Sequence, residues 1–259
     1  MKRLRIFLLT LAVALFLAGA AQAAYVGKVV DAKTKAPVEG AILTLGAEVA
    51  HTGKDGTFRI ESSGETLKLR APGYARREIA TAELKEPNSE IPLTPFNPRA
   101  LYLTVYGAWS TKIREAVLET VEKNKMNALV IDIKGDRGYI PFKVDIPLAE
   151  EVRAHAGAEK TILFKDMKAF VAGLKEKGLY LIARIVVFKD DPLVAVKPQW
   201  AVKVQGGGVF KDRERLRWVD PFNKEVWNYN IAIAKIGAEL GFDEIQFDYV
   251  RCPDKKGVV

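Results

Sequence analysis

The chain has 259 residues, 49% hydrophobic and 28% charged, with no low-complexity tract, a composition that can bury a real core. Its formal net charge is +8; three positive residues fall within the first five, and the remaining +5 is scattered and forms no basic stripe, so nucleic acid is not an expected partner. A single cysteine, Cys252, excludes an internal disulfide, and two histidines supply too few ligands for zinc chemistry; no metal and no cofactor are expected.

Lys2, Arg3 and Arg5 precede an apolar run from Ile6 to Ala20, and Ala21-Gln22-Ala23 closes it with the small residues a signal peptidase requires. Residues 1–23 are therefore expected to be a secretory signal peptide. The run is short for a membrane span of roughly 20 apolar residues. Cleavage would leave an exported protein with no stable membrane anchor, periplasmic or extracellular in a bacterial envelope.

Residues 24–93 show short alternating stretches separated by turn residues. Val26 to Val30, Ala41 to Leu45, Thr57 to Ile60 and Thr66 to Arg70 read as strands, with turns at Asp55-Gly56 and Pro72-Gly73. The pattern predicts a small β-sandwich, with Phe58 in its core and His51 solvated beside a turn. Gly27, Val29, Asp31, Pro37, Gly40, Thr52, Gly56, Phe58, Pro72, Gly73 and Tyr74 together resemble the carboxypeptidase regulatory-like, or transthyretin-like, domain. That resemblance implies an accessory role without chemistry. Pro92, Pro95 and Pro98 then crowd into seven residues, which predicts a stiff linker over 94–100 that resists both helix and central strand.

From residue 101 to 259 the order becomes strand then helix, repeated. Strands are predicted at Leu101 to Tyr106, Ala128 to Lys134, Tyr180 to Phe188 and Glu244 to Val250. Helices are predicted at Thr111 to Asn124, Phe164 to Lys177 and Glu225 to Leu240. Such alternation calls for a parallel sheet with helices packed outside it. Side chains alternate along a strand, so Leu129, Ile131 and Ile133 fall on one face, and Val130, Asp132 and Lys134 on the other. The same division sets Ala183 and Ile185 against Arg184, and Ile245 and Phe247 against Gln246 and Asp248. With the aliphatic face against the helices, Thr104, Asp132, Arg184 and Gln246 form one interior layer. Tyr106, Lys134, Phe188 and Asp248 form a second layer nearer the strand C-termini, where barrel active centres are built. A carboxylate such as Asp248 is costly to bury without a partner, so these side chains must face a built site. Asp132 with Arg184 also reads as a buried ion pair that keeps the layer neutral.

Four stretches resemble one family in order: Asn127 to Lys134, Gly178 to Asp190, Trp218 to Asn223, and Gly241 to Arg251. They are similar to the exported bacterial proteins of the DUF4015 family, of glycoside hydrolase type. The likeness runs from about Leu101 to Pro253 and departs where Cys252 replaces the family's phenylalanine. It implies a TIM-type barrel acting on a polysaccharide or envelope glycan. Asp248 would be the nucleophile, and Asp132, Lys134, Arg184, Tyr249, Arg251 and Trp218 would line the sugar site.

The connection from Lys189 to about Asn223 is far longer than the two to six residues usual here, and it leaves the strand end that carries the site. Trp200 and Trp218 within it either stack on sugar rings or pack the loop onto the barrel. Gly206-Gly207-Gly208 lacks the Gly-Lys-Ser/Thr of a phosphate loop, and Arg213, Arg215 and Arg217 read as a solvated face. His155, in a polar loop, completes no Ser/His/Asp arrangement. A complete eight-stranded barrel takes about 250 residues. The second region is therefore expected to hold only the first four β/α units, a truncated hydrolase whose open sheet edges self-associate. The alternative is a non-catalytic carbohydrate-binding or structural envelope protein.

Overall fold

A computed structural model describes residues 24–84, 89–160 and 162–254; the predicted signal peptide lies outside them. The chain forms two compact units that divide between Asn97 and Pro98.

The first unit holds seven strands in two sheets. In one, β1 (Tyr25–Asp31) lies between β4 (Thr57–Ile60), antiparallel, and β7 (Ser89–Leu93), parallel. In the other, β3 (Glu48–His51), β2 (Ile42–Leu45), β5 (Thr66–Arg70) and β6 (Arg77–Ala80) pair antiparallel in that order. Alternate residues of both sheets, including Val29, Leu43, Phe58, Leu67 and Ile91, meet in one buried apolar cluster. Pro92 lies inside β7 and not in a linker. The strand is at a sheet edge, where a residue without an N–H is tolerated, and its carbonyl accepts from Arg77 at 2.5 Å. The next residues are also tied down: Phe96 N–H donates to Gly73 O at 2.8 Å and Ala75 N–H to Thr94 O at 2.9 Å.

The second unit is a four-stranded parallel sheet in the sequential order β8 (Ala100–Leu103), β9 (Ala128–Lys134), β10 (Tyr180–Val186) and β11 (Glu244–Asp248). The helices are α1 (Val105–Trp109), α2 (Thr111–Lys123), α3 (Pro147–Glu151), α4 (Ile162–Glu176), α5 (Asp191–Val196) and α6 (Lys224–Glu239). Val121 of α2, Met167 and Val171 of α4, and Val226 and Ile233 of α6 share a buried cluster with Leu129, Ile131, Leu181, Ala183 and Ile185. The aliphatic face therefore meets the helices, except at Phe247 near the end of β11, which is 46% exposed. Gly237 lets α6 come close, since a Cβ there would lie 2.9 Å from Ile133 and 3.1 Å from Ile245. The TIM-type expectation thus reduces to an open parallel α/β sheet among the described residues.

Two departures from alternation shape the site. The first strand stops at Leu103, because the Thr104 hydroxyl accepts from Gly107 N–H at 3.0 Å and caps α1. Thr104 and Tyr106 accordingly leave the polar layers predicted for them. The second departure is a β-bulge. Asp132 stands opposite Arg184, but Lys134 stands opposite the very next residue, Ile185, so Ile133 is an extra residue in β9. Lys134 is thereby turned from the face of Asp132 to the face of the helices.

Candidate active site

The polar face of the sheet converges on Arg184. Its Nη1 donates to Asp132 Oδ1 at 2.7 Å and to the Tyr102 hydroxyl at 2.7 Å, while its Nε donates to Asp248 Oδ2 at 2.7 Å. The Tyr102 hydroxyl donates in turn to Asp132 Oδ2 at 2.6 Å, and the guanidinium lies 5.1 Å from the Tyr102 ring centre. Both oxygens of Asp132 are thus engaged, and the residue is only 2% exposed. Burial pushes its carboxyl above the ordinary range, opposed by the bonds from Tyr102 and Arg184.

Asp248 is the last residue of β11, and its side chain is 38% exposed. Oδ2 accepts from Arg184, and Oδ1 accepts from the next backbone N–H, that of Tyr249, at 2.6 Å. Burial opposes ionisation, but the Arg184 and Tyr249 hydrogen bonds and the charges of Arg184 and Arg251 outweigh it. The carboxyl is held below its ordinary range. Two carboxylates sharing one arginine are thus pushed in opposite directions, the buried one up and the accessible one down. Tyr249 carries a left-handed φ of +55°, uncommon for a bulky side chain, at the point where the strand turns out of the sheet.

Beyond Tyr249 lies an open cleft of about 590 Å³ lined by Lys189, Phe210, Asp212, Trp218, Tyr249 and Arg251 among others. Asp248 itself does not line it; Tyr249 is the link. The long connection builds the wall as an irregular antiparallel ribbon, with bridges Lys189 to Trp218, Ala201 to Val219, Lys203 to Val209 and Lys211 to Arg217. Asp212 is the hub of its inner turn. Oδ1 accepts from the N–H groups of Glu214 (2.9 Å) and Leu216 (3.0 Å), and Oδ2 accepts from Trp218 Nε1 at 3.1 Å. Lys189, almost wholly buried, sits 3.2 Å from Asp212 and 2.6 Å from Glu214. Its pKa is raised: burial opposes the charge, and the two carboxylates more than restore it. Trp218 is itself buried, its ring 5.5 Å from that of Tyr249, so it packs the ribbon while exposing an edge to the cleft. Trp200 stays outside the cleft, against Lys197. Arg213 and Arg215 are exposed as expected, whereas Arg217, 27% exposed, clamps Asp191 with two bonds of 2.6 and 2.8 Å.

Lys134 does not join the polar layer. It is 0% exposed, 2.9 Å from Asp190 Oδ2, donating to Val186 O at 2.6 Å and facing the Tyr229 ring of α6 at 5.8 Å. Asp190 in turn caps α5 by accepting from Leu193 N–H at 3.0 Å. This pair fastens the start of the long connection to the sheet. His155, expected in a polar loop, is buried, with Nε2 accepting from Val144 N–H at 3.3 Å. Among the described residues no group of three or more His, Cys, Asp or Glu side chains is placed to hold a metal, and no helix is long and apolar enough to cross a membrane.

The strand pattern puts Asp132, Arg184 and Asp248 on one face, as observed, but does not give the roles of Tyr102, Lys189 and Asp212. Tyr102 shares the parity of Thr104, and its signal was its reach, since a tyrosine hydroxyl extends one pair further along the sheet than a threonine's.

Residues 100–258 match the DUF4015 family, described as "Putative glycosyl hydrolase domain". The chain is similar to the crystal structure of a hypothetical protein from Ruminiclostridium thermocellum ATCC 27405, at 36% identity, with a TM-score of 0.54, over 61% of this chain and 80% of that one. It is also similar, at 12% identity and a TM-score of 0.41, to a Flavobacterium johnsoniae chitobiase, over 81% of this chain and 31% of that one. An alpha-galactosidase from Lactobacillus brevis gives the same identity and score over 81% and 32%. The chain spans about a third of the length of these last two. None of the curated proteins compared matches it.

Proposed function

Because the chain belongs to the DUF4015 family of glycosyl hydrolase-like domains over residues 100–258, we propose that it is an exported carbohydrate-acting hydrolase in which Asp248 is the reactive carboxylate. The observation that carries this reading is the environment of Asp248. It ends a parallel strand, is partly open to solvent, is held ionised by Arg184 and the Tyr249 amide, and stands next to a cleft with aromatic walls. A carboxylate fixed as an anion can attack an anomeric carbon or stabilise the positive charge that develops on a sugar ring as its glycosidic bond breaks. Asp132 and Arg184 are positioning residues here. Asp132, shut beneath Tyr102 and Arg184 with both oxygens engaged, orients the guanidinium that orients Asp248. Export follows from the pattern of residues 1–23, and residues 24–93 serve as an accessory module.

The experiment is turnover on a panel of polysaccharides by the full chain and by Asp248→Asn. The expected result is loss of at least about a hundredfold in kcat with binding and the folded state retained. Unchanged turnover rejects Asp248. Binding without turnover in either protein favours the second reading, a carbohydrate-binding protein, which the sealed Asp132 supports because a hydrolase of the usual kind needs a second accessible carboxylate.

A further inference from the structure

Of the acidic groups that line the cleft, Asp212 and Glu214 are tied to Lys189, and Asp254 stands fully exposed. Asp212 and Glu214 both hold Lys189, and Asp212 also takes the Trp218 indole N–H and two backbone N–H groups. Lys211 and Arg213 line the same cleft, and among the described residues neither has a carboxylate within ion-pair distance. Arg251 Nη1 donates to Cys252 O at 3.2 Å and lies 3.9 Å from the fully exposed carboxylate of Asp254. Its guanidinium lies 5.1 Å from the Trp218 ring centre and 5.4 Å from that of Tyr249, which fixes the plane of the fork while leaving N–H edges toward the cleft. Arg251 therefore stands over the aromatic wall, with the exposed heads of Lys211 and Arg213 on the same cleft, and none of the three is closed in a tight ion pair. A neutral sugar offers them hydroxyl acceptors but no opposite charge. An oxyanion on a sugar ring would meet the Arg251 fork, held over the two rings, in a charge-assisted hydrogen bond.

We propose that this cleft recognises an anionic glycan, its Arg251, Lys211 and Arg213 reading a carboxylate or sulfate on the sugar while Trp218 and Tyr249 face the ring. The inference rests on the carbohydrate reading of the site and narrows it to a substrate class.

The test is affinity electrophoresis of the full chain at about 150 mM salt, a level that screens scattered surface charges. The polymers are polygalacturonate, dextran sulfate, neutral pullulan and polyglutamate, the last an anionic chain without sugars. The triple variant Lys211→Gln/Arg213→Gln/Arg251→Gln, altered only at side chains outside the core, is run beside it. The expected result is retardation by polygalacturonate or dextran sulfate at least about tenfold stronger than by pullulan or polyglutamate, lost in the triple variant. Preference between the two anionic glycans tells carboxylate from sulfate. Equal retardation by pullulan, unchanged in the variant, overturns the proposal and leaves the carbohydrate reading standing. Retardation by polyglutamate equal to that by the anionic glycans overturns it as unspecific charge. No retardation by any glycan overturns both.

Discussion

Arg184→Met tests the network most directly. Methionine fills much of the stem volume but removes four contacts at once: the bonds to Asp132, Asp248 and the Tyr102 hydroxyl, and the stacking on the Tyr102 ring. What matters most is what stays behind, since Asp132 would keep a charge at 2% exposure with no cation beside it and only neutral donors, the Tyr102 hydroxyl and the Val105 backbone N–H, left to it. Removing one partner of a buried pair destabilises by about 3–5 kcal/mol. At about 2–4 °C per kcal/mol for a unit of this size, the melting temperature should fall by about 6–20 °C at pH 7. The pH dependence carries the sign. The Asp132 carboxyl already lies above its ordinary range, and without the arginine it would rise further, so lowering the pH neutralises it and narrows the gap between variant and wild type. Asp132→Asn in the Arg184→Met background should recover part of the loss, because the amide leaves no buried charge. Thermal unfolding of the three proteins between pH 4 and 8, followed by circular dichroism, provides the measurement. A variant that melts with the wild type at pH 7, with no rescue by Asp132→Asn, would show that the pair is solvated in solution and that Arg184 does not position Asp248.

Three further outcomes follow from the same geometry. Lys134→Met should destabilise by about 3–5 kcal/mol by leaving Asp190 buried without its cation, with Lys134→Met/Asp190→Leu closer to wild type; chemical denaturation reads both. Gly138→Ala should cost more than about 1 kcal/mol, since its φ of +84° is left-handed and a Cβ there would collide with the Asp190 carboxylate; urea unfolding measures it. The Asp248 carboxyl is depressed in the fold, so its contribution to stability is present above its unfolded value of about 3.9 and is lost as pH falls through its folded one. The acidic limb of kcat/KM should therefore lie below about pH 4 in the wild type and move up in Arg251→Gln, whose charge helps hold Asp248 ionised; an unshifted limb would exclude that influence.

The parallel sheet could be read from the sequence because each of its strands has an aliphatic face with unbroken period, and that periodicity needs no knowledge of the neighbours. Ala128 to Lys134 is observed as expected, and Thr57 to Ile60 and Thr66 to Arg70 likewise. Glu48–His51 and Arg77–Ala80 were not recognised as strands. They are short, largely exposed edges whose pairing to β2 and β5 defines them and whose composition does not. Leu101 to Tyr106 alternates well enough for a strand, but a threonine that can cap a helix won at Thr104. The face of Lys134 was lost for a different reason. A bulge is a fact about two strands in register, and nothing in Ile131-Asp132-Ile133-Lys134 alone announces it. Asp212, finally, draws its importance from Lys189 and Trp218, brought to it by a ribbon whose bridges no local pattern foretells.

The bulge at Ile133 also acts as a partition. One inserted residue sends Lys134 and Asp190 to one side of the sheet and leaves Asp132, Arg184 and Asp248 on the other, so two charge systems built on the same strands are insulated by the sheet itself. Without it, Lys134 would come round beside Asp132 and compete for the carboxylates that Arg184 now arranges. The long connection would lose its anchor in the same step. Because the two are kept apart, the wall of the cleft between residues 189 and 219 can drift in sequence and shape without entering the Asp132–Arg184–Asp248 network, while Arg251 on the other side keeps its hold on Asp248. One scaffold could in this way be retuned for different glycans by changes confined to residues 189 to 219.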